Sequence, residues 1–324
     1  VGLPEGEDLA VSDAILEAMD RGVEVEVIAD IDNRDAPAIK ALLDADVPLT
    51  LADDDVAYFD FNINIEVRFP SEDCVFSHAY AVVDHAQIIS ANRFGATGPG
   101  THVLYDVKGE ELIEDLLWEH NQIYGGVDAT TTTAYDANAK SMTDPRWGYM
   151  TNKPVQLGLS FGPQERLVKQ VIDAVYGARV SVRIITNDFA NPELAKALQD
   201  KAMWGIDTEV IVGSEFDKAS PDVRLWFGAA KDVHWTQTTR DAILPTIVLV
   251  DFEPDDTNNY ALVKGMVLTH SLLSGARLYR SLPTPSDQLI DGTMWVIDQT
   301  EAPGVELQTL LNAYEAELAK TEDL

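Results

Sequence analysis

Hydrophobic and polar positions alternate along this chain with a changing period, and each change of period marks an element. Residues 9–19 carry Val11, Ile15 and Met19, with Ala14 and Ala18, at the spacing of an amphipathic helix, and Gly22 stops it. Val23, Val25 and Val27 then alternate with Glu24 and Glu26 as a strand that ends at Asp30. A second helix over 36–45 and a short strand over 47–51 give a βαβα order, which favours parallel strands with helices packed on the sheet. Residues 56–70 alternate strongly and read as an inserted hairpin or a long strand. Next comes Phe76-Ser77-His78-Ala79-Tyr80-Ala81-Val82-Val83-Asp84-His85, followed by the apolar run that starts at Ile88. An apolar run ending in Asp, a polar turn and a second apolar run predict two buried strands joined by a hairpin. An amphipathic helix over 110–124, with Leu112, Ile113, Leu116, Leu117 and Ile123 on its apolar side, closes the segment.

Residues 128–153, which include four consecutive Thr and Asp144-Pro145, read as a linker rather than a packed element. The order then begins again. Helices are predicted over 163–178 and 192–204, the latter ended by Gly205, with strands over 180–185 and 209–212. A short helix over 221–227, a strand over 233–235, an apolar run ending at Asp251, strands over 264–270 and 294–297 and a helix over 305–320 complete the chain.

The two halves match. Residues 14–28 align with 197–211 without gaps, Gly22 falling on Gly205, and residues 109–120 parallel 304–315. The shared order of helix, Gly, strand, Asp-terminated strand and closing helix is the pattern of an internal duplication. The domains are therefore 1–127, a linker over 128–153, and 154–324. The helix at 163–178 and most of the strand at 180–185 have no counterpart ahead of Val1. The expectation is that this piece lies upstream in the natural protein; the alternative is that a neighbouring chain supplies it by strand addition.

Composition narrows the function. The 324 residues are 46% hydrophobic, enough to bury a sizeable core in two units. Asp and Glu number 55 against 23 Lys and Arg, a formal net charge of −32. Such a surface repels phosphate backbones, and no basic groove interrupts it, so nucleic acid is not an expected partner. It suits a protein of the cell surface, periplasm or exterior, or the cytoplasm of a halophile. Cys74 stands alone and reads as a core residue, and no apolar run reaches the length of a membrane span. Asp30 to Asp35 lacks the central Gly and closing Glu of a calcium loop, no phosphate-cradling Gly loop occurs, and the scattered His residues do not form a zinc pattern, so neither metal nor cofactor is expected.

These residues resemble the phospholipase D superfamily, in which each of two repeats carries a His-x-Lys-x-x-x-x-Asp strand followed by a Gly-Ser-x-Asn-type strand. The resemblance spans essentially the whole chain, including the closing helices and the Phe161-Gly162-Pro163-Gln164 start of the second repeat. It implies an α/β fold: two tandem repeats, each a mostly parallel mixed β-sheet flanked by helices, packed about a pseudo-twofold axis. In the family one His attacks phosphorus, the other protonates the leaving group, and the two Lys hold the phosphate charge. His and Lys must stand two apart on one strand to project from the same face.

Counting back from Asp84 puts Ser77 and Ala79 at those positions, and counting back from Asp251 puts Leu244 and Thr246 there. Both motifs are degenerate. His78 lies one residue off and on a regular strand points to the opposite face, so a bulge is needed to bring it round. His102 is a second weak candidate, near where family members carry a polar partner of the catalytic His. Ser90-Ala91-Asn92 approximates the following motif, whereas Thr269-His270-Ser271 does not. Losing both His–Lys pairs removes covalent catalysis and charge stabilisation together. The expected function is therefore a catalytically inactive phospholipase D-like protein, a structural or binding module with protein partners or self-association and room for a small ligand. The alternatives are a phosphodiesterase with a displaced site at His78 or His102, and a ligand-sensing domain of a larger regulator.

Overall fold

The computed structural model describes residues 1–3, 6, 8–60, 65–69, 75–91, 104–124, 133–136, 140, 147–149, 155–162, 164–189, 191–214, 216–218, 224, 227–241, 243–252, 263–269, 290–299 and 305–324. The strands of the first half are β1 (Gly2–Leu3), β2 (Val27–Asp30), β3 (Leu49–Asp60), β4 (Ile65–Phe69), β5 (Val75–Phe76), β6 (Tyr80–Val83), β7 (Gln87–Ala91), β8 (Leu104–Val107) and β9 (Thr133–Asp136). Those of the second are β10 (Trp147–Tyr149), β11 (Val155–Phe161), β12 (Ser181–Thr186), β13 (Asp207–Val212), β14 (His234–Thr238), β15 (Thr246–Val250), β16 (Val263–Leu268), β17 (Ile290–Asp291), β18 (Thr293–Gln299) and β19 (Thr321–Asp323). Helices α1 (Leu9–Asp20), α2 (Pro37–Asp44) and α3 (Glu110–Tyr124) belong to the first half, and α4 (Leu167–Gly177), α5 (Pro192–Met203) and α6 (Val305–Leu318) to the second. None of the described helices is long and apolar enough to cross a membrane.

The sheets repeat one topology. The first runs β4-β3-β2-β1-β6-β7-β8, with β9 also paired to β3; the second runs β10-β11-β18-β16-β15-β12-β13-β14-β19. Within them β2-β1-β6-β7-β8 and β13-β12-β15-β16-β18 have the same order and the same sense: the first pair parallel, the rest antiparallel. Local geometry repeats too. Gly22 (φ 84) and Gly205 (φ 82) both take left-handed backbone after α1 and α5. Each lets the next residue donate back five residues into its helix, Val23 to Ala18 and Ile206 to Lys201. Asp8 and Asn191 cap the starts of the same two helices. Asp84 (φ 51) and Asp251 (φ 58) turn the chain at the ends of β6 and β15. The halves are an internal duplication.

The repeats pack face to face. Helices α1 and α2 cover the outer face of the first sheet through Ile15, Ile39 and Leu42 against Leu3, Val27 and Leu51. Helices α4 and α5 cover the outer face of the second. Between the sheets a shared core joins Tyr80, Ile88 and α3 to Ile247, Leu249, Trp295 and α6.

Several segments depart from the pattern reading. The alternating stretch, expected as a hairpin or a long strand, holds β3 and β4 paired antiparallel, Val56 opposite Phe69. The stretch expected as a linker contributes packed pieces: β9 pairs with β3, β10 with β11, and Lys140 is buried. Its Thr and Pro content hid strands held by pairing to neighbouring sheets rather than by their own apolar pattern. The predicted strand through Phe76 to Asp84 is interrupted, because residues 77–79 lie between β5 and β6 and belong to neither. Most of the helix expected over 221–227 lies outside the described residues.

Candidate functional site

The inner face of β6 presents alternate residues. Tyr80 lies in the shared core with Val82 packed against it, and His78, two residues before Tyr80, extends the same row. A ring–ring contact ties His78 to Tyr80, with centroids 6.4 Å apart. Residues 77–79 lie outside the strands, so the register of a regular strand does not set the direction of His78. Ser77 and Ala79 are buried, at 3% and 0% exposure. In the second half Leu244 joins the shared core, and the Thr246 hydroxyl lies 3.3 Å from that of Thr186 within its own repeat. Asp84 is exposed at its turn. Asp251 accepts hydrogen bonds from the N–H groups of Arg179 and Val180 at 2.7 and 2.8 Å, which fixes the start of β12. His102, Asn92 and His270 lie outside the described residues.

Around His78 the structure gathers polar residues that the motif count does not reach. Its Nδ1 lies 2.8 Å from the Thr293 hydroxyl at the start of β18, a contact between the two repeats. Its Nε2 lies 3.5 Å from Glu119 Oε1 on α3. The same carboxylate oxygen accepts from the Lys140 ammonium, which also donates to the Gly162 carbonyl at 3.0 Å. Glu119 Oε2 accepts from Gln164 at 2.8 Å and from Gln122 at 3.2 Å. Glu119 and His78 are both 0% exposed. A carboxylate withdrawn from water needs this number of donors, since an unpaired buried charge is strongly unfavourable. Either His78 tautomer satisfies Thr293, because a hydroxyl both donates and accepts; the one protonated on Nε2 also points its proton at Glu119. The rings of Phe76 and Phe161, with centroids 5.3 and 6.2 Å from His78, close the remaining sides.

A second polar chain runs beside it. The Tyr80 hydroxyl is 2.8 Å from His120 Nδ1, and His120 Nε2 is 3.4 Å from Glu26. Burial pushes the His120 imidazolium pKa down to about 3, so this ring is neutral near neutral pH. At the end of β2, burial raises the Asp30 carboxyl to about 7, although it accepts from the Asp32 N–H.

The cluster holds a histidine, a lysine and a carboxylate in a dry interface, and its charges are matched internally. Lys140 brings a cation next to His78 from a distance of 62 positions in sequence, a partner no motif spacing indicates. Glu119 does have a sequence signal: it falls seven residues after Leu112 and four before Ile123, on the buried side of α3. A charged residue at a core position of a helix needs a partner. Among the described residues, no three His, Cys, Asp or Glu side chains are placed to hold a metal ion.

No family model matches the sequence, and no curated protein matches it. Solved structures do. The phosphatidylserine synthase of Haemophilus influenzae Rd KW20 is similar over 100% of this chain and 82% of its own, at 12% identity and a TM-score of 0.60. The polyphosphate kinase of Porphyromonas gingivalis is similar over 100% of this chain and 44% of its own, at 9% identity and a TM-score of 0.56. Nuc of Salmonella typhimurium, a phospholipase D family member, matches 52% of this chain and 98% of its own at 12% identity and a TM-score of 0.39. With its duplicated sheet order and its closing helices between the sheets, the chain shares its fold, end to end, with the Haemophilus influenzae phosphatidylserine synthase.

Proposed function

We propose that this protein is a catalytically silent member of that fold, acting as a structural or binding module. The carrying observation is the position of Glu119. His78, Lys140, Gln122 and Gln164 all direct polar hydrogens or ring nitrogens at its carboxylate, so the chain's own anion stands where a phosphate would meet a histidine and a lysine. A substrate anion would have to displace a covalently tethered one that costs no association entropy. The second repeat offers Leu244 and Thr246 at the positions of the other pair, neither of which moves a proton at neutral pH or carries charge.

The test is turnover of bis(p-nitrophenyl) phosphate at high protein concentration. Rates equal to those of a Glu119→Ala, His78→Ala double variant support the reading. A rate above that control, lost on His78→Ala alone, sinks it. The second reading, a phosphodiesterase with a displaced site, is favoured by one observation: His78 and Lys140 converge on one oxygen, Glu119 Oε1. It requires Glu119 to swing away when substrate enters.

A further inference from the structure

The two outer helices of the second repeat end in exposed apolar side chains. Tyr176, near the end of α4, is 42% exposed, and Met203 and Trp204, at the end of α5, are 69% and 72% exposed. They stand together. The Tyr176 hydroxyl lies 3.4 Å from the Asp200 carboxylate, and Met203 and Trp204 follow Asp200 by three and four residues on the same side of α5. The Lys201 ammonium donates to the Ala178 carbonyl at 2.7 Å and lies 5.1 Å from the centroid of the Trp204 ring, so that ring is held in place while most of it meets water. The turn does not require this pair: aligning Gly205 with Gly22 sets Asp20 and Arg21 where Met203 and Trp204 stand, and α1 closes through the same left-handed glycine. At roughly 200 Å² for a side chain of this size, the three exposures leave about 350 Å² of apolar surface. Apolar patches of that size on a protein surface are often contact sites.

Charge selects the occupant. Helices α1, α3 and α6 contain acidic residues and no Lys or Arg, so they repel another copy of a chain whose net charge is −32. On α4 and α5, Lys169, Lys196 and Lys201 balance Asp173, Glu193 and Asp200, and the exposed ion pairs Lys169–Asp173 at 2.6 Å and Lys196–Asp200 at 2.7 Å lead along the helices to the patch. We propose that this patch is the contact between two copies of the chain, related by a twofold axis that passes beside Trp204. A twofold contact presents a surface to itself, so it needs both signs of charge in one place, and this face carries them. A basic partner is the poorer fit, because the acidic helices attract it more strongly and the Trp204 ring already faces the Lys201 ammonium. Two copies bury about 700 Å² of this apolar surface, less than the roughly 1,200–2,000 Å² of a stable interface, so the dimer is weak, with a Kd on the order of tens of micromolar. Since net charges of −32 oppose each other, added salt tightens it. The patch shares no residue with the His78 cluster, so the inference stands whether or not His78 turns over a substrate.

The experiment is sedimentation velocity of the intact chain across the micromolar range, at low salt and at about 1 M salt. Two variants accompany it. A Met203→Asp, Trp204→Arg double variant installs the pair that the first repeat carries at the aligned positions, and Tyr176→Ser leaves Trp204 seated against Lys201, so it decides the matter if the double variant melts early. All three positions are exposed, and circular dichroism of the variants should match the parent. The expected result is a monomer–dimer equilibrium in the parent that tightens with salt and is about 10-fold or more weaker in each variant. A parent that stays monomeric at every concentration and salt, a dimer that neither variant weakens, or a dimer that loosens as salt is added would each overturn the proposal. A mass that climbs past two copies as concentration rises would mean head-to-tail association, and would overturn it equally.

Discussion

Replacing Lys140 by Met removes the ammonium and keeps most of the side-chain volume, leaving the Glu119 carboxylate 0% exposed among neutral donors. An unpaired buried charge costs about 3–5 kcal/mol, so Lys140→Met should cost about 3 kcal/mol, reduced somewhat by the bonds from Gln164 and Gln122 that survive. A Glu119→Gln, Lys140→Met double variant removes both charges and should recover most of the loss. Urea unfolding followed by circular dichroism measures both variants against the parent. A loss under about 1 kcal/mol, or a double variant as unstable as the single one, would refute the reasoning.

Other predictions concern the same interface and its supports. Glu119→Ala should empty an anion site, so inorganic phosphate should raise the melting temperature of that variant by a few degrees and leave the parent unmoved; equal shifts in both would contradict it. His120 has its folded pKa near 3, below the ordinary 6.5, so its contribution is complete above pH 6.5 and is lost as pH falls toward 3, at most about 5 kcal/mol. Asp30, raised to about 7, acts oppositely, favouring the fold below its ordinary value and losing that contribution as pH rises through 7. His120→Gln should therefore flatten the acid side of a stability–pH curve, and Asp30→Asn the neutral side; curves unchanged in shape would count against both assignments. Asp251→Ala deletes the acceptor for Arg179 and Val180 and should cost about 1–3 kcal/mol in denaturant titration, whereas Asp84→Asn, which keeps a residue suited to φ 51 at an exposed turn, should stay within about 0.5 kcal/mol.

The duplication was readable because its markers are backbone devices with few substitutes. A helix closed by Gly22 or Gly205 with positive φ, and a strand closed by Asp84 or Asp251, survive in sequence when side-chain chemistry has drifted. The strand β11 carries an equally plain pattern, with Val155, Leu157, Leu159 and Phe161 alternating without a break. The site was harder for a physical reason. Counting from Asp84 assumes an unbroken strand, and residues 77–79 lie outside the strands, so counting alone does not fix the side on which His78 stands. Lys140 sits in a Thr- and Asp-rich stretch with no periodicity, and only the fold brings it to Glu119. Thr293 meets His78 across 215 positions, a contact that no local pattern encodes.

The most direct test of the account is whether His78 ever forms a bond to phosphorus. The protein would be mixed with a phosphodiester, quenched under conditions that preserve phosphohistidine, and its intact mass measured and mapped. The account predicts unmodified chain at every time and pH. A phosphoryl adduct on His78 would show that Glu119 yields its place to substrate, and that the site is an active one.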